Sequence, residues 1–227
     1  MINCDELKKR IGYTGDSNQW LVEAITHRSY AVENNLKYDN QRLEFLGDAV
    51  LELILTEYLY DRYPDAPEGD LTKIRSGLVC EASLAAIARH LDLGKYLRIG
   101  RGESELKGNN RDSTLADLFE AVLGALYFDS GYDKAKKFVV SELEAVCSEP
   151  KQLLAELNPK GLLQELSQRR WGETPIYNVL RVIGPQHQPF YEMEVKLHGF
   201  VALGSGSSRK AAQMDAAKKL YLHLTKK

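Results

Sequence analysis

The sequence predicts a multidomain chain: an all-α unit followed by an α+β unit with the order α-β-β-β-α. Three observations carry that prediction. Apolar residues recur at helical spacing through the first two thirds of the chain and then give way to short β-rich runs. Two prolines, Pro150 and Pro159, mark the changeover. The charge also changes sign there. Residues 158–227 carry 11 Lys/Arg against 5 Asp/Glu, a net of +6, and the preceding residues carry 19 against 27, a net of −8. The expected boundaries are 1–148 for the helical unit, 149–157 for a linker and 158–227 for the basic unit. A chain of 227 residues, 44% apolar and 27% charged, has enough material for two cores of this kind.

Each element has a local reason. Arg42 to Tyr60 is apolar-rich and free of proline, with Gly47 its only glycine, and reads as a long helix ending before Pro64. "YPDAPEGD" then breaks the pattern. Leu71 to Leu91 returns to helical spacing, and the polar, glycine-containing stretch 97–113 reads as a loop. Ser113 or Thr114 offers an N-cap for a helix from Leu115 to Phe128, which "DSGY" stops, and Asp133 to Val146 forms another amphipathic helix. In the basic unit, Leu162 to Arg170 is helical. "IYNVLRVIG", "FYEMEVKLHG" and "FVALGSGSS" are strands separated by turn signals, and Ser208 to Leu224 is a closing helix.

Compartment follows from what is missing. The longest apolar runs fall far short of the ~20 residues that span a bilayer, and the first residues, MINCDELKKR, contain no apolar signal region. Cys4, Cys80 and Cys147 are widely spaced and lack metal-ligand spacing, so they read as reduced thiols. These features predict a cytoplasmic protein with no membrane partner.

Chemistry enters with four carboxylates. Glu44 and Asp48 stand four apart in "QRLEFLGDAVLELIL", and Asp117 and Glu120 stand three apart in "LADLFEAVLGALYF". Each pair lies on one face of a helix that is otherwise apolar. An ionised carboxylate in such surroundings costs several kcal/mol unless a cation compensates it. If the helices pack face to face, four carboxylates converge in an apolar-walled pocket, and their mutual repulsion calls for bound metal. All-oxygen ligation selects hard ions, Mg²⁺ or Mn²⁺, over zinc or copper. A di-iron centre would need Glu-x-x-His pairs, but the residues three after Glu44 and Glu120 are Gly47 and Leu123. "RIGRGE" has neither P-loop nor dinucleotide spacing, so no organic cofactor is expected.

"QRLEFLGDAVL" closely resembles the signature of the ribonuclease III family, and "STLADLFEAVLGALYFDSG" resembles that family's second acidic helix. "AITHRSY" (24–30) and "PEGDLTKIRSGLV" (67–79) are similar to two further family blocks in the expected order. The basic unit resembles the double-stranded-RNA-binding domain that follows the endonuclease domain in bacterial members. The resemblance implies an all-α endonuclease domain and an α+β RNA-binding domain. It implies metal ligation by Glu44, Asp48, Asp117 and Glu120, with Asp48 and Glu120 catalytic, and supporting positions at Gln41 and Glu68. The family often has an acid where Gln41 stands. The resemblance also implies a homodimer in which Phe45 enters a pocket of the other subunit; a phenylalanine there is equally compatible with ordinary core.

The implied reaction is hydrolysis of double-stranded RNA with Mg²⁺, leaving 5′-phosphate and 3′-hydroxyl ends and short 3′ overhangs. The expected substrates are precursor ribosomal RNA and structured messenger RNA. No side-chain nucleophile is needed, and His27 reads as a structural hydrogen-bonding residue. In the basic unit, Gln164, Glu165 and Gln168 share a helical face suited to 2′-hydroxyls. His187 falls at a turn tip where the family inserts a loop into the next minor groove. Ser207, Ser208, Arg209 and Lys210 stand at a helix N-terminus suited to phosphate, and the family's lysine cluster is diluted by Arg209 and Gln213. The rival reading is a non-catalytic RNA-binding protein; the intact acidic quartet argues against it.

Overall fold

The long helix anticipated around residue 50 runs from Gln41 to Arg62 in the computed structural model, which describes residues 4–15, 18–147, 150, 158–185 and 188–225. The chain divides into two compact units, 1–149 and 150–227. The described helices of the first unit are α1 (Cys4–Ile11), α2 (Gln19–Ala24), α3 (Arg28–Glu33), α4 (Gln41–Arg62), α5 (Glu68–Leu78), α6 (Glu81–His90), α7 (Arg101–Glu105), α8 (Asp112–Ser130) and α9 (Tyr132–Val146). Extended pairing among its described residues is limited to one bridge, Thr26 with Arg98.

Helix α8 is the hub. Its buried residues, Leu115, Ala116, Leu118, Phe119 and Ala121 through Leu126, wrap all sides of it, as a helix enclosed by others requires. Helix α4 buries only a stripe: Leu43, Gly47, Val50, Leu51, Ile54, Leu55 and Leu59. The two cross backbone to backbone. A Cβ on Gly47 would lie 1.8 Å from the Glu120 carbonyl oxygen, and one on Gly124 would lie 2.3 Å from that of Leu43. Only glycine at both positions permits this approach.

Three local expectations change. Helix α8 begins at Asp112 with Arg111 at its N-cap, so Ser113 and Thr114 lie inside its first turn. The helical spacing of Leu71 to Leu91 is carried by two helices, α5 and α6, broken at Val79 and Cys80. Around the break the Gly77 carbonyl accepts bonds from the Ser83 hydroxyl (2.7 Å) and the Cys80 thiol (3.2 Å), side chains that compete with the helical ladder. The stretch 97–113 is not all loop but holds α7 and a 3₁₀ turn at Gly108–Asn110. The Glu33 carboxylate accepts the backbone N–H of Arg101 at the start of α7, and Arg111 pairs with Glu103 at 3.0 Å.

The second unit consists of α10 (Pro159–Trp171), strands β1 (Ile176–Ile183), β2 (Phe190–Leu197) and β3 (Phe200–Gly206), and α11 (Arg209–Thr225). The strands form one antiparallel sheet in the order β1-β2-β3, with an irregularity between Val179 and Arg181. His198 and Gly199 turn the β2–β3 hairpin, both at positive φ (45° and 79°), as a two-residue hairpin demands. The core is Leu163 from α10, Val195 and Leu197 from β2, and Ala216, Ala217 and Leu220 from α11. Gly204 lets β3 pass close to α11, because a Cβ there would meet the Ala216 nitrogen at 2.2 Å. The alanines of α11 serve the same close packing.

Candidate metal centre and nucleic-acid interface

The crossing at Gly47 and Gly124 decides where the acids go. It brings the first turns of α4 alongside the middle of α8. There Glu44, Asp117 and Glu120 each offer a carboxylate oxygen, and the three oxygens lie within 4.8 Å of one another. Two oxygens on one Mg²⁺ at 2.0–2.1 Å stand roughly 3 to 4.2 Å apart, so small side-chain rotations would suffice to close the trio on an ion. Asp48, one turn further along α4, is exposed and lies outside the trio, as is Glu68. Glu68 sits in the first turn of α5, where its carboxylate accepts the Thr72 hydroxyl at 3.0 Å.

Electrostatics report the crowding. Glu120 is pushed up to about 7, first by burial and then by the charges of Asp48, Asp117 and Glu44. Burial also raises Glu44, helped by Asp117, Asp39 and Asp48. Asp117 is raised by burial and by Glu81, while His27 pulls it the other way. Among the described residues no lysine or arginine forms an ion pair with any of the four carboxylates. The uncompensated set suits a hard divalent cation in donor chemistry and in spacing.

Beside the acids opens a cleft of about 460 Å³, lined by His27, Arg28, Ser29, Asn40, Gln41, Glu44 and Asp117 among others. The residues that line it are polar or charged apart from Val32. Gln41 begins α4 and is exposed here, its backbone N–H donating to Asp39 at 3.1 Å. His27 caps α3: its Nδ1 accepts the Ser29 N–H at 3.2 Å and lies 2.8 Å from the Ser29 hydroxyl, which itself accepts the Gly100 N–H at 2.9 Å. That network occupies both side chains structurally and leaves Ser29 tied rather than poised as a nucleophile. Sequence reasoning overlooked Asp39 and Glu81 as electrostatic neighbours, and Asn40 and Arg28 as cleft residues. Arg28 lay in plain view within "AITHRSY"; Glu81 is brought near only by the packing of α6 on α8.

Phe45, next to Glu44, is 80% exposed, so it belongs to no core of its own chain.

In the second unit, Gln164, Glu165 and Gln168 are exposed on α10, opposite the buried Leu163, Leu166 and Ser167. Ser208 caps α11 through its hydroxyl, which accepts the Ala211 N–H at 3.1 Å. Arg209 and Lys210 are exposed in the first turn, and the Arg209 guanidinium lies 6.0 Å from the Tyr191 ring centre. His187 lies outside the described residues.

Comparison with known proteins follows the same division. Residues 17–145 match the Ribonuclease-III-like family, and residues 159–224 match the double-stranded RNA binding motif. A protein named Ribonuclease 3 from Natranaerobius thermophilus is 45% identical over 224 residues, covering 97% of this chain and 96% of its own. One of the same name from Symbiobacterium thermophilum is 44% identical over 213 residues, covering 93% and 90%. The solved nuclease domain of ribonuclease III from Campylobacter jejuni, described for flexibility in a region involved in dimer formation, superposes with a TM-score of 0.61. It is 36% identical and covers 65% of this chain and all of its own.

Proposed function

The chain belongs to the ribonuclease III family, and from that premise we propose how its residues divide the work of cutting double-stranded RNA. The protein is an endoribonuclease, with a nuclease unit and a double-stranded-RNA-binding unit. In our reading these span 1–148 and 158–227, joined by a linker at 149–157.

Glu44, Asp48, Asp117 and Glu120 hold Mg²⁺, for which Mn²⁺ can substitute. When bound, the ion supplies an acidified water and neutralises charge developing on the phosphoryl oxygens. Glu44, Asp117 and Glu120, whose oxygens lie within 4.8 Å of one another, would hold the ion most closely, and the exposed Asp48 would join them from one turn further along α4. Glu120 and Asp48 are the catalytic carboxylates. Glu120, raised to about 7, would give up its proton when a cation is bound there. Gln41 lines the cleft and hydrogen-bonds without adding a charge; Glu68 supports from α5. Gln164, Gln168 and His187 read minor grooves, while Ser208, Arg209 and Lys210 hold phosphate at the start of α11. The products carry 5′-phosphate and 3′-hydroxyl ends. Ribosomal and messenger RNA processing in the cytoplasm is the setting, and the working form is a homodimer seated on Phe45.

The observation that carries the metal reading is the trio of unpaired carboxylates within 4.8 Å at the α4–α8 crossing. A long RNA duplex incubated with and without Mg²⁺, beside a Glu120→Gln variant, tests it. The unmodified protein cuts only with Mg²⁺, and the variant shifts the duplex on a gel without cutting. Equal cleavage by both proteins would remove Glu120 from the reaction.

A further inference from the structure

We propose that Lys160 is a phosphate-binding residue of the second unit, completing from α10 the cationic track that Arg209 and Lys210 begin on α11. The inference rests on the double-stranded-RNA-binding reading of this unit.

Three observations lead there. Lys160, Gln164 and Gln168 are spaced i, i+4, i+8 on α10 and so form one stripe along the helix, continuous with the face assigned to the minor groove. At the near end of that stripe the Lys160 ammonium crosses to the other helix and donates to Gln213 Oε1 at 2.8 Å. Gln213 is one turn beyond Arg209 on α11, so the Lys160 ammonium reaches the helix that carries Arg209 and Lys210 one turn from its start. The ammonium is also steadied 4.7 Å above the Tyr177 ring centre. No carboxylate among the described residues pairs with it.

The chemistry of the pair is one-sided. An ammonium has three donors and no acceptor, so it must take the oxygen of the Gln213 amide. Bound that way, the amide turns its NH₂ outward, and the ammonium keeps two N–H groups. The pair therefore presents mainly donors around a positive charge, which suits a phosphate oxygen and no cation. Lys160 also stands in the first turn of α10, where the helix dipole disfavours a positive charge. A bound anion relieves that conflict. The neutral Gln213 thus loses nothing by lacking a charge of its own, because Lys160 delivers one to the same spot.

The test uses the full chain and a 20-base-pair RNA duplex without divalent metal, titrated over a range of KCl. Variants are Lys160→Met, Lys160→Gln, Lys160→Arg and the double change Lys160→Met with Gln213→Lys. For Lys160→Met and Lys160→Gln we expect affinity lower on the order of fivefold at low salt and a slope of log affinity against log salt shallower by about one. Lys160→Arg keeps the original slope, and the double variant regains it. In cleavage assays Lys160→Met raises KM by more than it lowers kcat. An unchanged slope in both neutral variants overturns the proposal, as does an affinity loss that tracks a lowered melting temperature and is not restored by Gln213→Lys. If the unmodified protein shows no salt-dependent binding to the duplex, the RNA-binding reading of the unit has failed, a result distinct from either of those.

Discussion

Glu120 concentrates the energetics of the first unit at one residue. Its carboxyl is raised to about 7 by burial and by three neighbouring carboxylates. A group whose folded pKa lies above its unfolded value, near 4.5, stabilises the fold fully below pH 4.5, and that contribution is lost as pH rises to 7. The metal-free protein should therefore melt at a lower temperature at pH 8 than at pH 6, and Mg²⁺ should narrow the difference; calorimetry at both pH values checks this. Replacing Glu120 by Gln at pH 8 removes one repelling charge and should raise the metal-free melting temperature of the nuclease unit by about 2–4 °C, on the order of 1 kcal/mol. Binding of Mg²⁺ to the unmodified protein should weaken below pH 7, because the cation then competes with protons for the same oxygens. Phe45 is 80% exposed. Phe45→Asp should shift the protein toward monomer in sedimentation velocity while leaving its circular dichroism unchanged; a dimer of undiminished affinity would exclude this residue from the interface.

At the scale of elements, the α4–α8 crossing is the feature on which the site depends. Gly47 and Gly124 bring the two backbones so close that an added methyl meets a carbonyl oxygen. Gly47→Ala should destabilise the nuclease unit by about 3 kcal/mol or more, beyond the usual range for overpacking, because main chain and not a side chain must give way. The same change would push Glu44 away from Glu120, so residual activity should require higher Mg²⁺. Chemical denaturation and a Mg²⁺ titration of cleavage measure the two effects. In the second unit the Ser208 cap is a smaller lever: Ser208→Ala should cost about 1 kcal/mol of stability and loosen the first turn that carries Arg209 and Lys210.

Across the whole molecule, charge is sorted by function. The acidic unit collects carboxylates around a cation site, and the basic unit, with a net of +6 over 158–227, attracts the polyanion. Removing residues 158–227 should weaken duplex binding far more than cleavage chemistry at low salt; a truncated chain inactive under all conditions would mean that the nuclease unit cannot work alone.

Much of this was legible in the residues themselves. Helical period marked α4, α8 and α9, alternation and turn residues marked the three strands, and the carboxylate pairs on apolar faces pointed to an acidic cluster, because period and burial cost are local properties that spacing encodes. Breaks inside helical patterns were not legible. The split at Val79 and Cys80 depends on Ser83 and Cys80 side chains capturing one carbonyl, a competition that periodicity does not register. Nor could spacing distinguish Phe45 as core from Phe45 as exposed, rank Asp48 apart from the other three acids, or pair Lys160 with Gln213. Those outcomes depend on which face of one helix meets another, and contacts between residues far apart in the chain exist only once the helices have packed. The sequence by itself determined the family and the two units, and it put forward the four carboxylates. The tertiary structure decided that three of them close within 4.8 Å, since that distance is set by two glycines, each placed on its helix where the other backbone passes.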